Sequence, residues 1–269
     1  MKCELIKQIT PELSLHLCNE IPVLRLRHAV GTAKIALQGA HIFSWKPANA
    51  AQDMFWLSEL EPLKAGTALR GGIPICFPWF NDAGLPTHGY ARTSLWQLSG
   101  YEIHSRQVRL EFCLFSDDNL IIAKTEMTFS HEFNIRFTNY AEDNAQVALH
   151  SYFNIGDIQR ISVHNLPTTA FSFLTQTQES VPSPRTIGEN VDCLYSARQG
   201  PTLIKDEAWQ RNIEIEHHNA SDVVLWNPWH KPTSNMTETG YQSMLCVETA
   251  RINQRLARGE SIAATIRLK

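Results

Sequence analysis

Residues 107–139 read QVRLEFCLFSDDNLIIAKTEMTFSHEFNIRFTN. Three segments within it, 107–115, 121–129 and 132–139, alternate apolar and polar side chains and are bounded by turns. Successive side chains of a strand point to opposite faces, so a period of two marks strands with one buried face. Further out, 23–30 (VLRLRHAV) alternates, Gly31-Thr32 breaks the run and 33–45 (AKIALQGAHIFSW) resumes it, which reads as a hairpin. Residues 211–217, 222–226 and 262–268 read as further strands. Helix-period segments are scarce, and 204–211 (IKDEAWQR) is the one candidate for a short helix. Many short strands with few short helices predict an all-β protein, a large antiparallel β-sandwich or barrel.

The chain has 269 residues, 43% hydrophobic and 19% charged, an ordinary globular balance with enough apolar side chains for a substantial core. No linker, charge block or low-complexity segment interrupts it, so 1–269 reads as a single domain. Residues 178–190 (QESVPSPRTIGEN) read as a long loop. A net charge of −3 offers no basic field for nucleic acid and no polybasic stripe for an anionic membrane. Any anionic ligand must be held by a few local cations. The six cysteines (3, 18, 76, 113, 193, 246) show no metal-site spacing and read as reduced thiols, mostly small core residues. The N-terminus lacks the apolar stretch of a signal peptide, and no run approaches the ~20 apolar residues of a membrane span. A cytoplasmic protein, a monomer or weak homodimer, is expected.

Some segments exceed what packing requires. Residues 69–80 (LRGGIPICFPWF) are strongly apolar, yet two glycines and two prolines disfavour a regular ladder. They form either a stiffened connection or a rigid wall that aims Arg70 into a cleft. Residues 86–96 (PTHGYARTSLW) place His88 and Arg92 four apart beside a glycine, a pattern open to a structural role or to an anion or sugar site. In 147–156 (VALHSYFNIG), Ala148, His150 and Tyr152 share one strand face, opposite Val147 and Leu149. His150 is then either solvent-facing or an acid/base group on a concave sheet. In 244–250 (MLCVETA), Met244, Cys246 and Glu248 share a face. A mid-strand glutamate among apolar and small residues is either salt-bridged or a general base in a desolvated pocket. Residues 225–229 (LWNPW) suit a packed corner or a sugar-stacking platform.

Taken in order, LRGGIPICFPWF, HGYARTSLW, ALHSYFNIGD, ENVDCLY, VVLWNPW and CVETA resemble the hexose-6-phosphate branch of the aldose 1-epimerase (mutarotase) family across nearly the whole chain. The resemblance implies a galactose-mutarotase-like sandwich with the sugar in an open cleft on one sheet. It implies His150 as general acid, Glu248 as general base, His88 as the second active-site histidine and Asp192 as a binder of sugar hydroxyls. It places Arg70 and Arg92 where that branch contacts phosphate. The sequence departs from the family pattern at Asn81, where glycine is expected, at Arg251-Ile252, and in 236–242.

The implied reaction opens a hemiacetal and closes it on the other carbonyl face. A base takes the proton of the C1 hydroxyl while an acid protonates the ring oxygen. No redox change or group transfer occurs, so neither cofactor nor metal is expected, and the chain shows no nucleotide-binding or metal-site pattern. The carboxylate must be ionised and the imidazole protonated, with the acid limb of the pH profile following Glu248 and the alkaline limb His150. The phosphate is expected to serve binding alone, through the bidentate fork of arginine. Two other readings stand beside this one: an epimerase of unphosphorylated aldoses, and a non-catalytic carbohydrate-binding module on the same sandwich.

Overall fold

A computed structural model describes residues 2–269. Its strands form three antiparallel sheets. A five-stranded meander runs from Cys3–Gln8 to His41–Pro47. One eight-stranded sheet contains Gln107–Phe115, Ile121–Phe129 and Phe133–Asn139. A second eight-stranded sheet contains Ile75–Cys76, Ala145–Leu149, Met244–Leu256, Asp222–Asn227 and Val191–Ser196 as successive neighbours. Regular helix among the described residues is confined to 3-10 turns at Ile158–Arg160 and Gly240–Ser243.

The alternation in 107–139 explains how the layers meet. Val108, Leu110, Phe112, Met127, Phe129, Ile135 and Phe137 point inward, into one core shared with Trp45 of the meander and Val147, Leu149, Leu225, Leu245 and Val247 of the second large sheet. The outward positions carry charge ladders: Arg109 bonds Glu111 at 2.7 Å and Lys124 bonds Glu111 at 2.9 Å. Such half-exposed pairs contribute little each, and they keep the outer face wet.

Some expectations are corrected. The hairpin over 23–45 is three strands, Ile21–His28, Gly31–Ala36 and His41–Pro47, because Gly39 and Ala40 take positive φ and turn the chain a second time. Residues 204–211 form no helix: Thr202–Asp206 and Arg211–His218 pair as a hairpin. The Asp206 carboxylate accepts from the Gly156 and Trp209 amides and from Arg211 Nε, which fixes the turn. The 178–190 loop is shorter, since Thr177–Ser180 is a strand. The six cysteines are not all free. Register sets Cys3 opposite Cys18, and the two form a disulfide, while Cys76, Cys113, Cys193 and Cys246 are buried thiols. Among the described residues, no helix is long and apolar enough to cross a membrane.

Candidate active site

Pairing in the second large sheet assembles the site. Asp192 is opposite Trp226, Trp226 opposite Cys246, and Cys246 opposite Tyr152, giving one row across four strands. One step along, Leu194 is opposite Val224 and Val224 opposite Glu248. Leu149 is paired with Thr249 and Tyr152 with Cys246, so His150 falls opposite Glu248. Here the chain leaves regular pairing: the His150 amide donates to the Pro74 carbonyl, and the Val247 amide to that of Ser151. The side chains of Asp192, Leu194, Val224, Trp226, Cys246, Glu248, His150 and Tyr152 share the face away from the main core. Between them, Cys76, Phe80, Ala148, Leu194, Val224 and Ala250 make a small apolar floor.

Cross-strand neighbours have Cβ atoms about 5 Å apart, close enough for long side chains to meet. His150 Nδ1 lies 3.2 Å from Glu248 Oε1, with the residues 8% and 1% exposed. Glu248 Oε2 has no hydrogen-bond partner although fully buried. A buried carboxylate oxygen left without a partner costs stability and is best explained by use. Burial pushes the Glu248 carboxyl well above the usual range, and the nearby Asp192 charge adds to this. Burial likewise holds His150 well below an ordinary imidazole, helped by His88, Arg92 and Arg70. Both groups therefore favour their neutral forms, against the expected ion pair. The neutral pair and the ion pair carry the same number of titratable protons, and His150 Nδ1, 3.2 Å from Glu248 Oε1, also makes no hydrogen bond in this arrangement.

The apolar segment 69–80 is tied down by close approaches. Gly72 has φ +62°, and a Cβ there would lie 2.2 Å from the Ile42 carbonyl oxygen. Gly72→Ala is expected to destabilise the fold by at least about 1–3 kcal/mol from backbone strain alone, read as a lowered urea midpoint at unchanged m. Gly89 packs as tightly on the Phe77 carbonyl, docking the 86–96 segment against 69–80. Asn81 sits at φ +54°, which explains why glycine suits this position and why asparagine is tolerated. Its amide donates to His88 Nδ1, and the His88 amide returns a bond to its carbonyl. With Nδ1 accepting, neutral His88 carries its proton on Nε2. Burial, with Arg92 and Arg70, brings His88 down to about 3, so neutral is its state.

Of the candidates, His88 lies 5.7 Å from His150 between ring centroids. Asp192 is held up at about 6 by burial, against the pull of Lys231. Arg92 Nη2 donates to the Thr87 carbonyl at 2.6 Å. Arg70 Nη1 donates to Tyr152 Oη at 2.9 Å, while Nε and Nη2 donate to the Ser234 carbonyl and hydroxyl. All six candidates thus belong to one neighbourhood, and the charges of both arginines bear on both His88 and His150. Three members were missed from sequence: Tyr152, Trp56 and Ser234. Tyr152 had a signal, as the residue two after His150 on the same face; Trp56 and Ser234 come from distant loops and had none. Trp226 presents its edge to His150 at 6.1 Å and belongs to the site. Trp229 packs on Tyr241 at 5.1 Å, in the corner. Arg251 is structural, bonding the carbonyls of Asn219, Gln254 and Arg255.

His150, Cys246 and Glu248 bring metal-capable donor atoms within 4.8 Å of one another. Burial and the Glu248 charge push the Cys246 thiol well above its usual range.

The family model for aldose 1-epimerase matches residues 22–269. A Haemophilus influenzae protein, provisionally named glucose-6-phosphate 1-epimerase, is 54% identical over 270 residues, covering 100% of both chains. The crystal structure of HI1317 superposes with a TM-score of 0.99 at 59% identity, again over 100% of both chains. That of YeaD from Salmonella typhimurium, provisionally a mutarotase, gives a TM-score of 0.93 at 31% identity, covering 99% of this chain and 96% of the other.

Proposed function

The chain belongs to the aldose 1-epimerase family, and on that premise we propose that it is a glucose-6-phosphate 1-epimerase, interconverting the α and β anomers of the sugar phosphate. What supports this most is the buried His150–Glu248 pair at 3.2 Å, with two arginines whose charges reach it. Glu248 takes the C1 hydroxyl proton as His150 protonates the ring oxygen. C1–C2 rotation in the open aldehyde exposes the other face, and reversed transfers close the ring. His88, neutral with its proton on Nε2, and Asp192 hold sugar hydroxyls. Trp226 supplies an apolar wall for the ring. Arg70 and Arg92 take the phosphate in place of the bonds they now make to Ser234 and Thr87, while Arg70 Nη1 keeps its bond to Tyr152. A sugar phosphate does not cross a bilayer unaided, so we place the protein in the cytoplasm.

Anomer exchange followed by NMR on glucose 6-phosphate and on free glucose tests the reading. Enzyme-dependent exchange much faster on the phosphate ester supports it; equal rates on both sugars favour an epimerase of free aldoses instead. A charge-assisted hydrogen bond contributes roughly 1.5–3 kcal/mol. Arg92→Ala is therefore expected to weaken glucose 6-phosphate binding by roughly ten- to a hundredfold, measured by calorimetry, with free-glucose affinity nearly unchanged. Equal losses for both sugars would make Arg92 structural.

A further inference from the structure

Tyr152 lies between the two ends of the site without being needed by the chemistry described above. Its ring is stacked on His150, with centroids 4.8 Å apart and planes 7° apart. Trp56 stacks against it at 6.0 Å and 19°, and Trp226 meets it edge-on at 5.9 Å. Its hydroxyl accepts from Arg70 Nη1 at 2.9 Å. A guanidinium, a phenol and an imidazole thus form one continuous chain, and the tryptophans leave the phenol no room to swing aside.

We propose that Tyr152 is a positioning residue that couples Arg70 to His150, so that an anion bound at Arg70 promotes proton transfer at the sugar ring as well as anchoring the substrate. The inference rests on the epimerase reading and deepens it: the phosphate contributes to turnover, beyond the binding role expected from sequence.

The physical basis is charge. Facing His150 are Glu248 and the Cys246 thiol on the adjoining strand, the latter held protonated by burial, with His88, Arg92 and Arg70, and Tyr152 on its own segment. Of these only Glu248 is placed to supply negative charge, and burial holds it toward its neutral form. The two arginines oppose an imidazolium, and an acid that cannot hold its proton cannot deliver it. A dianion bound to Arg70 and Arg92 cancels that opposition, and a one-unit rise in basicity multiplies the protonated fraction by about ten. Tyr152 makes the effect local. It holds Arg70 in line with the stack through Nη1 and keeps the imidazole plane fixed against Glu248 while the other guanidinium nitrogens exchange Ser234 for the anion. A substrate without phosphate leaves Arg70 uncompensated and His150 short of protons, so discrimination falls on turnover as well as affinity.

The test splits the substrate into pieces. Anomer exchange of free glucose is measured with increasing inorganic phosphate, and the phosphate-catalysed reaction without enzyme is subtracted. For the wild type we expect a saturable rise in kcat of about tenfold or more, with the acid limb of the pH profile, the one that follows His150, moved to higher pH. Tyr152→Phe keeps the stack and removes the hydroxyl. It should still bind phosphate, seen as competition with glucose 6-phosphate, and lose most of the activation. No saturable rise in the wild type overturns the coupling, whatever the stability of the variant. An undiminished rise in Tyr152→Phe overturns the part given to Tyr152. Wild-type enzyme that fails to exchange glucose 6-phosphate anomers at all defeats the epimerase reading instead, so the two failures are distinct.

Discussion

Glu248→Gln is expected to lower enzyme-dependent anomer exchange on glucose 6-phosphate by about 10²–10⁴, the range of a single general base. The change preserves shape and removes only the carboxylate. Burial at 1% exposure is what makes the residue effective, since desolvation raises its basicity far above that of a surface glutamate. Substrate affinity should survive, because phosphate binding rests on Arg70 and Arg92. The remaining activity carries a second signature. With the base gone, catalysis depends on protonated His150, whose acidity is already enhanced by burial, so residual exchange should fall as pH rises. Spontaneous mutarotation must be subtracted at each pH. Wild-type exchange by purified Glu248→Gln would eliminate the glutamate as base.

His150→Asn should cost about 10²–10⁴ as well, with the opposite pH dependence. The surviving group is then Glu248, active only when ionised. Because burial raises its carboxyl, residual exchange should increase as pH rises through that elevated value. In the wild type the one-proton state of the pair is the active one, which gives a bell. The directions of the two shifts reverse the assignment expected from sequence: the acid limb follows His150 and the alkaline limb Glu248. Combining the two substitutions should cost little more than either alone, because both groups serve one concerted exchange. Fully additive losses in the double variant would separate their roles.

Period-two alternation is a local property, and it was enough to give the strands of 107–139 and the face shared by Met244, Cys246 and Glu248. It was also enough to put His150 and Tyr152 together, opposite Val147 and Leu149. Where local signals competed, they misled. The charged run at 204–211 has helical spacing, but Asp206 gains three backbone and side-chain partners in a hairpin turn. The thiols of Cys3 and Cys18 looked like core residues until register placed them opposite each other.

What the sequence determined by itself was the all-β architecture, the order of six motifs that carry the family resemblance, and the identities of the six candidate site residues. The architecture follows from short-range patterning, and the six candidates follow from the family resemblance that the motifs carry. The tertiary structure alone decided that His150 stands opposite Glu248, 98 positions away in the chain, at 3.2 Å. It alone decided that both are desolvated, and hence which way their acidities move. It alone clamped Tyr152 between Trp56 and His150, with Arg70 on its hydroxyl. The physical reason is that register and burial depend on strands remote in sequence, and the charge a buried group carries is set by the neighbours those strands deliver.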